Sequence, residues 1–158
     1  MPITVIQGEQ RGDEGKGRFV DMLAAEHDIV ARFNGGNNAG HTVVTPDGRE
    51  LALHGIPSGM AYEHTVNVIG RGCLINAVSL GEEAAKIKSK GFGVSPDKLL
   101  ISSGAHLILP HHIALDSKRE LGAKKQGTTG SGIAPTASDK YMREGLRAEV
   151  INNDLDLL

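Results

Sequence analysis

Residues 3–33, ITVIQGEQRGDEGKGRFVDMLAAEHDIVARF, carry the pattern on which the fold depends. Ile3–Gln7 is a short β-branched run closed by glycine, which predicts a buried strand. Gly8 to Arg18 then bring four glycines, three acids, two arginines and Lys16. From Lys16 onward, Phe19, Val20, Leu23 and Ala24 fall on one face of a predicted helix. Asp28–Phe33 follows as a second strand. Strand, glycine loop, helix and strand make a βαβ unit, which predicts a parallel sheet with the loop at a strand's carboxyl end.

Further elements extend the α/β pattern. Thr42–Thr45 and Glu50–His54 flank a Pro-Asp-Gly turn and predict a β-hairpin. Val66–Gly70 and Lys98–Ser102 predict strands. Residues 79–90 predict a helix capped by Ser79, with Glu82 at the capping-box spacing. A last helix is predicted after Pro110, from His111 through Lys125. The expectation is an α/β fold with a mostly parallel sheet, flanking helices and an inserted β-hairpin.

The 158 residues, 39% hydrophobic and 23% charged, suit a single domain over 1–158. A net charge of −2 is too balanced to announce a nucleic-acid or membrane partner. Cys73 is the only cysteine, which leaves no disulfide framework and predicts a buried thiol. There is no signal-peptide pattern at the N-terminus and no apolar run of spanning length, so a cytoplasmic location is expected.

The glycine loop resembles a phosphate cradle with parts exchanged. The common pattern G-x-x-x-x-G-K-[ST] ends in a hydroxyl that binds magnesium. Here Gln10 stands at the first glycine and Gly17 at the hydroxyl position. Gly12, Gly15 and Gly17 still allow amides to approach an anion at a helix start, and Lys16 can neutralise phosphate oxygens. Asp13 is a hard oxygen ligand suited to magnesium. The alternative is a glycine-rich turn with a solvated acid. A second segment, RFNGGNNAGHTVV (32–44), sets Asn34, Asn37, Asn38, Gly40 and His41 after the next strand. His41 is thereby expected at the same sheet edge as Asp13, whereas the other six histidines are read as structural.

Together these segments closely resemble the adenylosuccinate synthetase family, whose motifs read Q-W-G-D-E-G-K-G-K and G-G-x-N-A-G-H-T against QRGDEGKGR and GGNNAGHT here. LHGIPSGM (53–60), AHLILPHHIALD (105–116) and GTTGSGIAP (127–135) extend the match to about residue 147. The resemblance implies a P-loop-NTPase-like architecture. It also implies GTP-dependent ligation of inosine monophosphate (IMP) and L-aspartate through 6-phosphoryl-IMP, with GDP and phosphate released. By its motifs Asp13 is magnesium ligand and general base, His41 the general acid on the transferring phosphoryl group, and Lys16 its electrostatic partner. Gly12, Asp13, Glu14, Gly15, Lys16, Gly17, Gly40, His41 and Thr42 go to GTP. Asp13, Lys16, Asn38, Ala39, Gly40, His41, Thr129 and Arg143 go to IMP, with magnesium on Asp13 and the Gly40 carbonyl. Arg143 is expected to reach the neighbouring site of a homodimer. Arg11, Ser131 and Ala134 depart from the family's Trp, Arg and Gly. Family members are longer, so the chain is expected to be an N-terminal portion, inactive alone. A non-catalytic phosphate-binding module, or a branch acting on dGMP, are the alternative readings.

Overall fold

The computed structural model describes residues 3–9, 14–38, 40–45, 47–121, 125 and 127–153, the side chains of 152 and 153 excepted. Its core is a parallel sheet. β1 (Ile29–Gly35) pairs with β4 (Val66–Ile75), and β4 pairs with β5 (Leu99–Ile101) and β6 (His106–Leu107), all parallel. β2 (His41–Val44) and β3 (Glu50–Leu53) form an antiparallel hairpin between β1 and β4. Gly48, at φ 83, supplies the left-handed residue of its turn. A 3-10 turn, Ser58–Ala61, leads from the hairpin to β4.

Helices α1 (Lys16–Ala24), α2 (Ala77–Ser89), α3 (Pro110–Glu120), α4 (Ile133–Met142) and the short α5 (Val150–Asn153) complete the chain. The β4–α2–β5 segment is a parallel βαβ crossover. Val43, Leu51 and Leu53 of the hairpin, Ile56, Met60, Ile87 of α2 and Phe92 form one buried cluster. Ile69, Cys73, Ile75 and Ala105 form another, with Leu80 of α2 packed against both. The hairpin and α2 therefore cover one face of the sheet. The Cys73 thiol donates to the Arg32 carbonyl at 3.3 Å, and burial pushes its pKa up, as expected of an unreactive thiol.

The parallel sheet, the hairpin, the strands expected at 28–33, 66–70 and 98–102 and the three expected helices all form. Several details differ from the sequence reading. Ile3–Gln7 forms no strand, and Ile3 is 90% exposed. A strand needs a laddered neighbour, and β1 pairs only with β4 among the described residues; one 3.4 Å contact from Thr4 to His27 does not replace a ladder. Phe19 lies out of the core although its helix forms. The cap of α2 is Asn76, whose side chain accepts the Ser79 amide at 3.0 Å, so the helix starts two residues before the predicted Ser79 cap and Glu82 stays exposed. α3 ends at Glu120, earlier than expected. α4 has no counterpart among the elements expected from the sequence. Pro135 is tolerated there because it falls in the first helical turn. The tail DLDLL (154–158), readable from sequence only as a strand or helix fragment, lies outside the described residues.

Candidate functional site

The residues expected to act together come from separate stretches, and the hairpin brings several of them into contact. Gly15 caps α1 from the left-handed region at φ 70, without a side-chain cap of its own, so among the described residues no side-chain cap is seen on the first helical amides. Lys16 ion-pairs with Glu14, and the backbone of Gly8 lies directly against that pair. One residue on, Gly17 abuts His41. A Cβ added there would stand 2.9 Å from the ring's Cγ, so only glycine permits this approach. The start of α1 and the start of β2 thus share one point in space. Gln10 to Asp13 and Ala39 lie outside the described residues, so the placement of Gly12, Asp13 and Ala39 does not enter this geometry.

His41 opens β2 instead of lying in the preceding turn. Its Nε2 shares a 2.9 Å hydrogen bond with Ser58 Oγ. Burial first, then the Arg32 guanidinium, hold its pKa below the ordinary 6.5, with Asp21 and Glu83 opposing. Burial raises the Asp21 carboxyl, against the hydrogen bond from Tyr62. Gly40, beside His41, has the ring of His54 against it, and a Cβ there would lie 2.6 Å from Cε1. The His54–Ile56 bend behind that ring is gripped from both sides. Its three amides donate to Glu83 at 2.8, 2.9 and 3.2 Å, and the His54 carbonyl accepts from Arg32. Arg32 also donates to the Gly36 carbonyl. A small open cleft lies here, lined by Arg32, Gly36, Asn37, Cys73, Asn76 and Glu83.

The glycine segment at 127–132 approaches from the other side. Ile133, at the start of α4, packs closely on Gly36, where a Cβ would displace the end of its side chain. Asp116, buried on α3, accepts from the Gly132 amide at 2.9 Å and the Thr128 hydroxyl at 3.0 Å. Thr129 and Ser131 share a 2.7 Å hydrogen bond at the surface. Asn38 is exposed and makes no hydrogen bond to Thr129. Arg143 stands at the far end of α4, about 15 Å from Gly132 by the rise of ten helical residues. Of the residues singled out from the sequence, Gly17 meets His41, and Asp13 lies outside the described residues; Ser58, Arg32, Glu83 and Asp116 were not singled out. The PSG and ALD triplets held two of these, without a spacing that announced a role.

Among the described residues, His111, His112 and Asp139 bring ligand atoms within 4.8 Å of one another. They do not fit a metal. His112 Nδ1 accepts the Leu109 amide at 2.9 Å, so its Nε2 carries the proton toward Asp139 Oδ2, also at 2.9 Å. Both ring nitrogens are occupied in tying α3 to α4, and the structural reading of this histidine stands. No helix among the described residues is long and apolar enough to cross a membrane.

A parallel α/β sheet with two glycine segments meeting at a helix start defines a nucleotide-phosphate-binding class of protein. The family model described as adenylosuccinate synthetase matches residues 5–157, and the chain belongs to that family. It is similar to the adenylosuccinate synthetase of Saccharopolyspora erythraea, 47% identical over 151 residues, covering 94% of this chain and 35% of that one. The Mycobacterium marinum synthetase is 48% identical over 157 residues, covering 98% and 36%. The fully ligated structure of the Plasmodium falciparum enzyme superposes with a TM-score of 0.78 at 42% identity, over 90% of this chain and 33% of that one. A cyanophage S-2L succinoaminodeoxyadenylate synthetase bound to dGMP and dATP shares the fold, with a TM-score of 0.69 at 23% identity, over 91% of this chain and 40% of that one. The chain spans about a third of the length of these relatives.

Proposed function

We propose that this chain is the phosphate-handling portion of an adenylosuccinate synthetase, in which GTP phosphorylates IMP at O6 and L-aspartate displaces the phosphate. The observation that carries the reading is the contact of Gly17 with His41, which joins the loop ending at Lys16 to the Gly40–Thr42 segment. In this reading both segments line the GTP phosphates. Gly12, Glu14, Gly15 and Gly17 supply backbone amides and Lys16 supplies charge, which phosphoryl transfer needs more than covalent help. Asp13 takes the N1 proton of IMP, so that O6 attacks the γ-phosphorus and the bond to the GDP oxygen breaks. His41 donates to the transferring phosphoryl group. Its depressed pKa keeps the free imidazole neutral, and an adjacent phosphate anion favours the protonated form that serves as acid.

Asp13 and the Gly40 carbonyl are hard oxygen donors, the kind magnesium takes, and that donor chemistry fits the ion. When bound there, it supplies charge neutralisation on the phosphate oxygens. Asn38, Ala39 and Thr129 are read as IMP contacts, and Arg143 as reaching the neighbouring subunit of a homodimer. A cytoplasmic location belongs to the same reading. No observation favours a dGMP substrate, since the phage relative is far less similar than the synthetases.

Titration calorimetry of the chain with GTP and with ATP, each with magnesium, tests the phosphate site. Weak, base-indifferent binding that Lys16→Ala abolishes is expected, and binding untouched by that substitution rules the loop out. The chemistry is tested in a chimera, with this chain replacing the matching segment of the Mycobacterium marinum relative. Asp13→Ala and His41→Ala should each lower kcat about 10²–10⁴-fold while nucleotide binding persists. Near-normal turnover in either variant removes that residue from the mechanism.

A further inference from the structure

A buried carboxylate on α2 takes no part in the phosphate chemistry. Glu83 is 7% exposed and accepts three consecutive backbone amides, from His54 and Ile56 on Oε1 and from Gly55 on Oε2. Three successive N–H groups pointing at one buried anion is a stronger arrangement than a neutral contact, because each bond is charge-assisted. Without that anion the amides of the bend would lie unsatisfied in the interior. Arg32 holds the same bend from its carbonyl side. The bend is thus fixed by a cation on β1 and an anion on α2, neither of which belongs to the loop itself.

The bend carries Ser58. Only Pro57 separates Ile56 from it, with φ −65 and ψ 153, so the proline ring removes one of the two freedoms of the link. Beyond Ser58, Gly59 is pressed onto β4, where a Cβ would stand 2.7 Å from Asn67 Oδ1. Ser58 is itself buried, with its hydroxyl on His41 Nε2 at 2.9 Å. A displacement of residues 54–56 has no slack in which to dissipate before it reaches the imidazole.

We propose that Glu83 is a positioning residue for His41: by holding the His54–Ile56 amides it places the Ser58 hydroxyl on Nε2 and so fixes the ring's orientation and tautomer. The functional weight of this rests on the reading of His41 as the acid of phosphoryl transfer. The contact relay itself does not. One ring nitrogen is satisfied inside the protein, and the other edge is left for whatever His41 meets. Nearest to that relay, Gly40 keeps the His54 ring in place, so the bend is anchored at its first residue as well.

The experiment uses the full chain, labelled with ¹⁵N, and two-bond proton–nitrogen spectra of the histidine rings at one mildly alkaline pH. Wild type should show His41 as a single tautomer. Glu83→Gln is nearly isosteric but turns an amide donor toward a bend that needs acceptors. It should move the His41 nitrogen signals toward tautomer averaging, in the same direction as Ser58→Ala. Ser58→Thr, which keeps the hydroxyl, should restore them, while the His112 signals stay fixed in every variant. His41 signals that superimpose on wild type in Glu83→Gln, while Ser58→Ala moves them, reduce Glu83 to a fold staple and overturn the proposal. An unchanged His41 in Ser58→Ala overturns it at the other end. Should Glu83→Gln fail to give a dispersed spectrum, Glu83→Asp keeps the charge with a shorter reach. It should give an intermediate shift, and a wild-type His41 there sinks the relay. Loss of GTP binding would leave these spectra intact, so the two readings fail separately.

Discussion

Arg143 is the one non-glycine residue with positive φ among the described residues, at φ 64 and ψ 28, closing α4 where a glycine usually sits. The left-handed conformation costs an L-residue roughly 1–2 kcal/mol, and nothing local demands arginine there. The amides of Glu144 and Gly145 bond back to the Asp139 carbonyl at 2.9 and 3.1 Å whatever the side chain is. Arg143→Gly should therefore stabilise the chain, by about 0.5–1 kcal/mol after glycine's larger unfolded-state entropy is counted. The urea midpoint at unchanged m-value measures it. A fall in the midpoint would mean that the side chain makes contacts sufficient to hold the strained backbone. A residue that costs stability at an exposed helix end is where a binding role is worth seeking.

At the scale of elements, two buried side chains fasten α3 to its neighbours. Asp116 holds the 128–132 segment, and His112 bridges the Leu109 amide to Asp139 of α4. His112→Ala removes an acceptor from a helix-start amide and a donor from a carboxylate. Its cost should be about 1–3 kcal/mol, the range for stranding a buried polar partner. Asn76→Ala removes only the α2 cap and should cost about 1 kcal/mol. Chemical denaturation of both variants checks the order, and a His112 variant no weaker than the Asn76 variant would deny the clasp. The Asn76 cap of α2 escaped the sequence reading for a local reason. Serine or asparagine can cap, and a capping-box spacing fits more than one register until the helix has a packing partner. Glu83 at the buried face, not Glu82, settles that register.

For the whole molecule, the sheet is covered on one side only among the described residues. Ile29, Ala31 and Phe33 of β1 share a face with Val66, Val68 and Leu100, because Ile29 pairs with Val66, Ala31 with Val68, and Val68 in turn with Leu100. Phe33 is 51% and Leu100 46% exposed. Parallel sheets are normally buried on both faces, and an open apolar face of this kind drives association. Sedimentation of the chain should show self-association that rises with concentration. Phe33→Ser with Leu100→Ser should return it toward a monomer. A monomer at all concentrations in the unsubstituted chain would show the face to be closed in solution.

The residues alone determined the parallel α/β class and the hairpin. β-branched runs, turn residues and helical periodicity are local signals. They also located Cys73 in the core. Tertiary structure decided the rest. Whether Ile3–Gln7 becomes a strand depends on a neighbour to pair with, and Phe19 on a surface to pack against. Ser58, Glu83 and Asp116 acquire their parts only when distant backbone amides or a ring are brought within 3 Å or so of them. Such bonds join residues 16 to 29 positions apart, a separation at which periodicity carries no information and only the folded chain supplies the partner.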